Sequence, residues 1–296
     1  MKTMETAEQI KQMVREKYSE IALQDKETNM SSCCGATSCS DPIYNIMTDD
    51  YSQADGYNPD ADLGLGCGLP TQFAKIEPGD TVIDLGSGAG NDCFIARHET
   101  GAFGKVIGID FTEAMVALAR TNAETRGFNN VEFRLGDIEN MPVSNEVADV
   151  VVSNCVLNLV PDKKAVIADI MRVLKPGGHF SISDVVLVGE LPDALQKDAE
   201  MYAGCVSGAI QKSDYLRFIE EAGFKNITVQ KEKAIRIPSD ILSRYLDEEG
   251  VDSFVHGSTG IFSVTVYAEK EGIKTLHPEA DTEQVKACCP PNAGCC

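Results

Sequence analysis

Residues 81–94 read TVIDLGSGAGNDCF. A short Val/Ile/Leu run passes without a break into Gly86, Gly88 and Gly90, and then into residues that suit the first turn of a helix. Such a turn brings backbone close to a ligand, because glycine has no Cβ and tolerates positive φ. Nucleotide-binding dehydrogenases use similar turns, so the glycines alone leave the ligand open. Two acids sharpen the reading. Asp84 sits within the strand ahead of the turn. Asp110 ends the next run, KVIGID, about twenty residues past the last glycine, where a carboxylate can accept both ribose hydroxyls.

Downstream, VEFRLGD, ADVVVSN and HFSISDVV are further Val/Ile-rich runs, separated by helical patterns expected over 90–99, 112–126, 162–174 and 213–222. That alternation predicts an α/β fold, a mostly parallel sheet with helices on both faces. NITVQKEKAIRI and IFSVTVYAEK read as two late strands. Upstream, Ile10, Met13, Val14, Tyr18 and Ile21 recur at helical spacing and predict one amphipathic helix over 3–23. Residues 29–68 follow neither period and read as a long irregular segment ending at the core. The expected organisation is an N-terminal helix and cysteine-containing segment (1–64), a main domain (65–272) and a cysteine-rich tail (273–296).

The 296 residues carry 46 acidic against 26 basic side chains, a net charge of −20. That field repels phosphate backbones, so a small-molecule substrate is expected and nucleic acid is not. The apolar runs fall short of the ~20 residues of a membrane span, and MKTMETAEQIKQMVREKY lacks a signal-peptide pattern, so no membrane association and a cytoplasmic location are expected. Eleven cysteines in a reducing compartment point to metal, metalloid or redox chemistry, not to a disulfide framework.

Their placement matters. Cys67 precedes the first strand in LGLGCGLPT, Cys155 follows the fourth in VVSNCVLNLVPD, and Cys205 lies past the fifth in MYAGCVSGA. Ligands of open α/β sheets sit beyond the carboxyl ends of the strands, which aims Cys155 at a cofactor on the glycine turn. Thiolates are soft ligands, and trivalent arsenic or antimony, soft and three-coordinate, suits three converging sulfurs. Cys93, on the helix after the turn, reads as packing. His98, His179, His256 and His277 form no ligand pair and receive no catalytic role.

The glycine turn with Asp84 and Asp110, the GDIENMP string and LKPGGHFSISD resemble the S-adenosylmethionine-dependent methyltransferases of the Rossmann-like class, over roughly residues 65–270. LGLGCG, SNCVLNLVPDK and GCVSGA narrow the resemblance to arsenite methyltransferases, which move methyl groups from S-adenosylmethionine to trivalent arsenic. The resemblance implies a seven-stranded sheet whose last strand inserts antiparallel. It implies a cofactor site of Asp84, Gly86, Ser87, Gly88, Gly90, Asp110, Met115, Asp137, Ile138 and Asn154, with Asp137 and Ile138 edging the adenine and Met115 either lining it or serving only as core. It further implies that Cys155 and Cys205 hold arsenic and that Cys67 joins them, as third ligand or redox partner. Many members add an N-terminal cysteine; Cys33, Cys34 and Cys39 compete for that role, with Cys34 favoured. A thioredoxin-like protein or glutathione would reset the thiols. Cys288, Cys289, Cys295 and Cys296 of the tail could gather arsenite, exchange disulfides or bind zinc with the N-terminal thiols, though their spacing is not a standard zinc pattern and a thiol trap is favoured. The rival readings are a methyltransferase of a small organic acceptor such as a quinone, and a thiol-based metalloid buffer or sensor.

Overall fold

The computed structural model describes residues 6–24, 49–190, 208–236, 242–243, 246–257 and 260–274. The strands are β1 (Thr81–Leu85), β2 (Lys105–Asp110), β3 (Val131–Leu135), β4 (Ala148–Asn154), β5 (Leu174–Val188), β6 (Lys225–Ile235) and β7 (Gly260–Glu269). The helices are α1 (Ala7–Ile21), α2 (Asn91–Thr100), α3 (Glu113–Thr125), α4 (Lys163–Val173), α5 (Lys212–Glu221) and α6 (Glu248–His256). The strands form one sheet in the order β3-β2-β1-β4-β5-β7-β6. β1 to β5 pair in parallel, and β7 runs antiparallel to both β5 and β6. This is the expected Rossmann-like methyltransferase fold, with its late antiparallel strand.

Alternation along each strand builds two cores, one per face. Val82, Val106, Val150 and Val152 pack with Phe94 and Ala96 of α2 and with Met115 and Ala119 of α3. Ile83, Ile107, Val151 and Phe180 turn to the other face, against Val166 and Ile170 of α4 and Tyr215 of α5. Ile21 of α1 and the loop residues Ala61 and Leu63 join the first core. The segment before residue 64, aperiodic in sequence, is thus packed onto the sheet where it is described.

Element ends differ modestly from expectation. The first helix begins at Ala7 because Thr6 caps it, its Oγ1 accepting from the Gln9 N–H while the Gln9 side chain accepts from the Thr6 N–H. β5 starts earlier than HFSISDVV suggested, since Leu174 already pairs with Ala148 ahead of an irregularity in register. α6 was not expected; it starts at the Asp247 cap, whose side chain accepts from the Gly250 N–H at 2.9 Å. Among the described residues, no helix is long and apolar enough to cross a membrane.

Phe180 tests the second core. It is fully buried and meets Phe224 edge-on at 4.8 Å between ring centroids. Phe180→Ala should lower the free energy of unfolding by roughly 3–5 kcal/mol while preserving the native far-ultraviolet circular dichroism. Urea denaturation showing a loss below about 1 kcal/mol would place the mechanical centre of the fold elsewhere.

Candidate functional site

β1 and β4 are neighbours, but the chain continues from β1 towards β2 and from β4 towards β5. Loops leaving two adjacent carboxyl ends in opposite directions open a crevice between them. The crevice here is a cavity of about 1080 Å³, counting its mouth, walled by the glycine turn, the start of α2, the ends of β2 and β4, α1 and residues of the 51–66 loop.

The glycine turn is fastened to β2: the N–H groups of Gly86 and Ser87 both donate to the Ile109 carbonyl, at 2.8 and 3.0 Å. At Gly86, φ is +66°, and a Cβ would fall 2.4 Å from Val156. At Gly88, φ is +50°, and a Cβ would meet nothing within 4 Å, so the bare backbone faces the cavity it lines. Asp110 secures the turn from the other side. Its Oδ2 accepts from the Gly88 N–H at 3.0 Å and its Oδ1 from the Thr112 N–H at 2.8 Å. Burial raises its pKa against those backbone bonds. Ser87 Oγ and Asn91 Oδ1 are buried with no hydrogen-bond partner, which leaves them to a ligand.

Beside the turn, buried acids gather. Asp84 is held well above the usual carboxylate range by burial and then by Asp92, while the Cys93 thiol donates to its Oδ2 at 3.2 Å. Asp92, in the first turn of α2, is pushed up to about 6 by burial, against hydrogen bonds from Asn154 and Tyr51. The Tyr51 hydroxyl lies 3.0 Å from both Asp92 Oδ2 and the Gly68 carbonyl, sharing its proton between them and accepting from Asn154 Nδ2. A pyrophosphate would meet these carboxylates at close range; a cation with ribose hydroxyls is what the wall suits.

Asn154 ends β4 and joins this polar group to the thiols. Its Nδ2 donates to the Gly68 carbonyl at 2.8 Å and to Asp92 Oδ2 at 3.3 Å, while its Oδ1 accepts from the Cys67 N–H at 3.1 Å. The next residue, Cys155, has φ +60°, a left-handed conformation unusual for a side chain of any size. Its N–H donates to the Ser183 carbonyl at 2.8 Å, and its sulfur is bonded to that of Cys67, with the Cα atoms 5.8 Å apart. Val185, Leu187, Ile235 and Ile261 surround the pair.

Of the residues expected at the site, Asp84, Gly86, Ser87, Gly88, Asp110, Asp137, Ile138, Asn154 and Cys155 line the cavity. Gly90 instead caps α2, where a Cβ would meet Phe133 at 2.8 Å. Met115 is a core residue: it is fully buried among the side chains of the first core and is not on the cavity wall. Cys67 reaches the site through its bond to Cys155. Cys33, Cys34, Cys39, Cys205 and the tail cysteines lie outside the described residues. Cys93 packs as expected, fully buried.

Sequence reasoning missed Tyr51, Asp92 and the cavity face of α1. Lys11 and Tyr18 line the cavity, Lys11 pairing with Asp137 at 2.7 Å and with Glu139. Asp92 had a signal: an acid at the start of a glycine-turn helix stands where phosphates otherwise bind. Tyr51, in an aperiodic stretch, had none.

Comparison with known proteins fits this geometry. Residues 76–223 match a methyltransferase domain family model. An arsenite methyltransferase of Halobacterium salinarum is 44% identical over 251 residues, 79% of this chain and 62% of that protein. One from Aquipseudomonas alcaligenes is 33% identical, covering 79% of this chain and 68% of its own length. CrArsM, an arsenic(III) S-adenosylmethionine methyltransferase from Chlamydomonas reinhardtii, superposes with a TM-score of 0.58 at 32% identity, over 71% of this chain and 69% of that one. The chain thus spans 62% of the length of its halobacterial relative. With the glycine turn, the acids beside it and the paired sulfurs all on one cavity, the chain belongs to the arsenite methyltransferase family.

Proposed function

We propose that the protein transfers methyl groups from S-adenosylmethionine to trivalent arsenic, arsenite first and methylarsenite after it, in the service of arsenic detoxification. The observation that carries this reading is that the sulfurs of Cys67 and Cys155 meet at a cavity lined by a bare glycine turn and buried carboxylates. A methyltransferase of an organic acceptor needs the turn and the acids but no sulfur pair.

S-adenosylmethionine supplies an electrophilic methyl group on a cationic sulfur. Asp110 would hold the ribose hydroxyls, Gly88 and Ser87 the adjoining backbone face, and Asp137 and Ile138 the adenine end. Asp84 and Asn154 flank the opposite end, where the positive charge of the methionine portion is favoured by buried carboxylates. The unpartnered Ser87 Oγ and the open face of Gly88 fit such a ligand.

Cys67 and Cys155, once reduced, would ligate arsenic together with Cys205, displacing hydroxide or glutathione. Arsenic brings its own lone pair, so these residues need to orient it and no side chain need act as base; positioning does most of the work. The surrounding aliphatic side chains exclude water from the sulfurs. Methyl transfer leaves arsenic formally pentavalent, and its return to the trivalent state takes two electrons, as does opening the Cys67–Cys155 disulfide. Each of these reductions consumes two thiols of glutathione or of a thioredoxin-like protein, which become a disulfide, with Cys34 a candidate relay. A cytoplasmic setting meets that demand.

The direct test is product analysis after incubation with arsenite, S-adenosylmethionine and a thiol reductant. Methylated arsenicals are expected with reductant and only traces without it; arsenite that stays unmethylated in every condition refutes the proposal.

Two variants apportion the site. Asp110→Ala should weaken S-adenosylmethionine binding in calorimetry by about 1.5–3 kcal/mol while leaving arsenite binding nearly intact. Unchanged cofactor affinity would remove Asp110 from the site. Cys155→Ser should abolish methylation of both arsenite and methylarsenite with little change in thermal unfolding once the parent's disulfide is reduced, because serine is nearly isosteric but poorly suited to a soft centre. A variant that methylates methylarsenite at the parent rate would end the role of Cys155 as ligand.

A further inference from the structure

The charge on the cavity wall is lopsided. Among the described residues lining it, Asp62, Asp84, Asp92, Asp110 and Asp137 are acidic and Lys11 alone is basic. The Lys11 ammonium pairs with Asp137 at 2.7 Å and with Glu139, at one end. Asp84, Asp92 and Asp110 take hydrogen bonds from neutral donors: the Cys93 thiol, the Tyr51 hydroxyl and Asn154 amide, and the Gly88 and Thr112 N–H groups.

Position separates these three acids. Asp110 ends β2 and holds the glycine turn on its ribose side. Asp84 lies inside β1 with Cys93 against it. Asp92 alone contacts the residue that precedes Cys155: Asn154 Nδ2 is 3.3 Å from its Oδ2, and the same side chain accepts from the Cys67 N–H. A methyl group on its way to an acceptor on Cys155 leaves an atom lying between the glycine turn and that sulfur. Asp92 flanks this stretch, from the first turn of α2.

We propose that Asp92 is the specificity-determining residue by which the site distinguishes the sulfonium donor from its neutral thioether product. The proposal rests on the donor reading given above. In the transfer, the carbon–sulfur bond breaks, its electron pair stays on sulfur and the new bond is made by the acceptor's lone pair. The sulfur goes from +1 to neutral, and Asp92 loses the charge it faced. Its remaining partners are a phenol and an amide, so attraction to the product drops at the moment release is needed.

The same geometry ties donor binding to protons. Asp92 is met by Asp84 from β1, Tyr51 and Asp62 from the 51–66 loop and Asn154 from β4, with Asp110 across the turn and Asn91 and Cys93 beside it on α2. Burial raises the Asp92 pKa to about 6, Asp62 adding to the rise. A cation favours the ionised form. Donor affinity should fall as pH drops through about 6, where binding must expel a proton, while affinity for the neutral product stays flatter.

The test is calorimetric binding, without arsenic or turnover, of S-adenosylmethionine, S-adenosylhomocysteine and sinefungin, which carries an ammonium group in place of the sulfonium. Asp92→Asn should weaken the two cationic ligands about tenfold, the equivalent of one pKa unit of differential interaction, and change S-adenosylhomocysteine by less than about twofold. In the parent, the ratio of donor to product affinity should climb between about pH 5 and 8, and this slope should flatten in the variant. Equal weakening of all three ligands, or of none, overturns the assignment. Should Asp92→Asn not fold, the parent's pH series decides alone, a flat ratio being the refuting result. A parent that binds none of the three refutes the donor reading itself, a different outcome from a parent that binds them without regard to charge.

Discussion

Ser153 of β4 lies opposite Leu85 of β1 in the parallel register, and its Oγ donates to the Leu85 carbonyl at 3.1 Å. From this locked pair, the chain departs in opposite directions. On one side, Gly86 and Ser87 hang from the Ile109 carbonyl at the end of β2. On the other, the Cys155 N–H is tied to the Ser183 carbonyl of β5. The glycine turn and the sulfur wall are thus fixed to neighbouring strand ends by backbone bonds, so their separation is set by strand spacing and not by loop flexibility. Substituents on the glycine turn disturb this at once, because Val156, just beyond Cys155, occupies the space a Cβ on Gly86 would need.

Burying several carboxylates around one turn is costly, since each loses hydration and each raises its neighbours. Such an arrangement is tolerated when neutral donors satisfy the oxygens and a cationic ligand completes the charge. Asp84, Asp92 and Asp110 have the donors. The same acids make the site hostile to the diphosphate that glycine turns of this shape hold in dinucleotide-binding proteins. Local charge therefore does what the turn motif could not, and separates two ligand classes that share a backbone.

Much of this was legible in the sequence for a physical reason. Strands buried on both faces leave Val/Ile runs, and glycines forced to positive φ leave a spaced signature; β1, β2 and β4 and the turn at Gly86–Gly90 followed from those marks alone. Asp110 followed from its place at the end of β2. Met115 could not be assigned to cavity or core from sequence because an apolar residue near the cavity and one in the core have the same composition, and only the direction of its side chain on α3 tells them apart. Tyr51 escaped because its role depends on a contact across 103 residues, to Asn154, inside a loop with no period of its own. The bond between Cys67 and Cys155, separated by 88 residues, was not expected: the family resemblance implied only that both approach arsenic, and spacing could not have supplied it.

The boundary between the two halves of the site falls between consecutive residues. Asn154 ends β4 facing the acids and the glycine turn, while Cys155 lies against Val185, Leu187 and Ile261 with Cys67. A strand continuing regularly would carry Cys155 along β5; the left-handed backbone at Cys155 instead stops the strand and turns its sulfur to the loop that bears Cys67. For a residue other than glycine this conformation costs roughly 1–2 kcal/mol. The surrounding bonds hold it in place: Ser183 takes the Cys155 N–H, and Ser263 donates to the Cys67 carbonyl at 2.6 Å. Strain is thereby placed at the one position where an acid-lined polar wall gives way, within a single peptide unit, to an apolar wall around a sulfur pair.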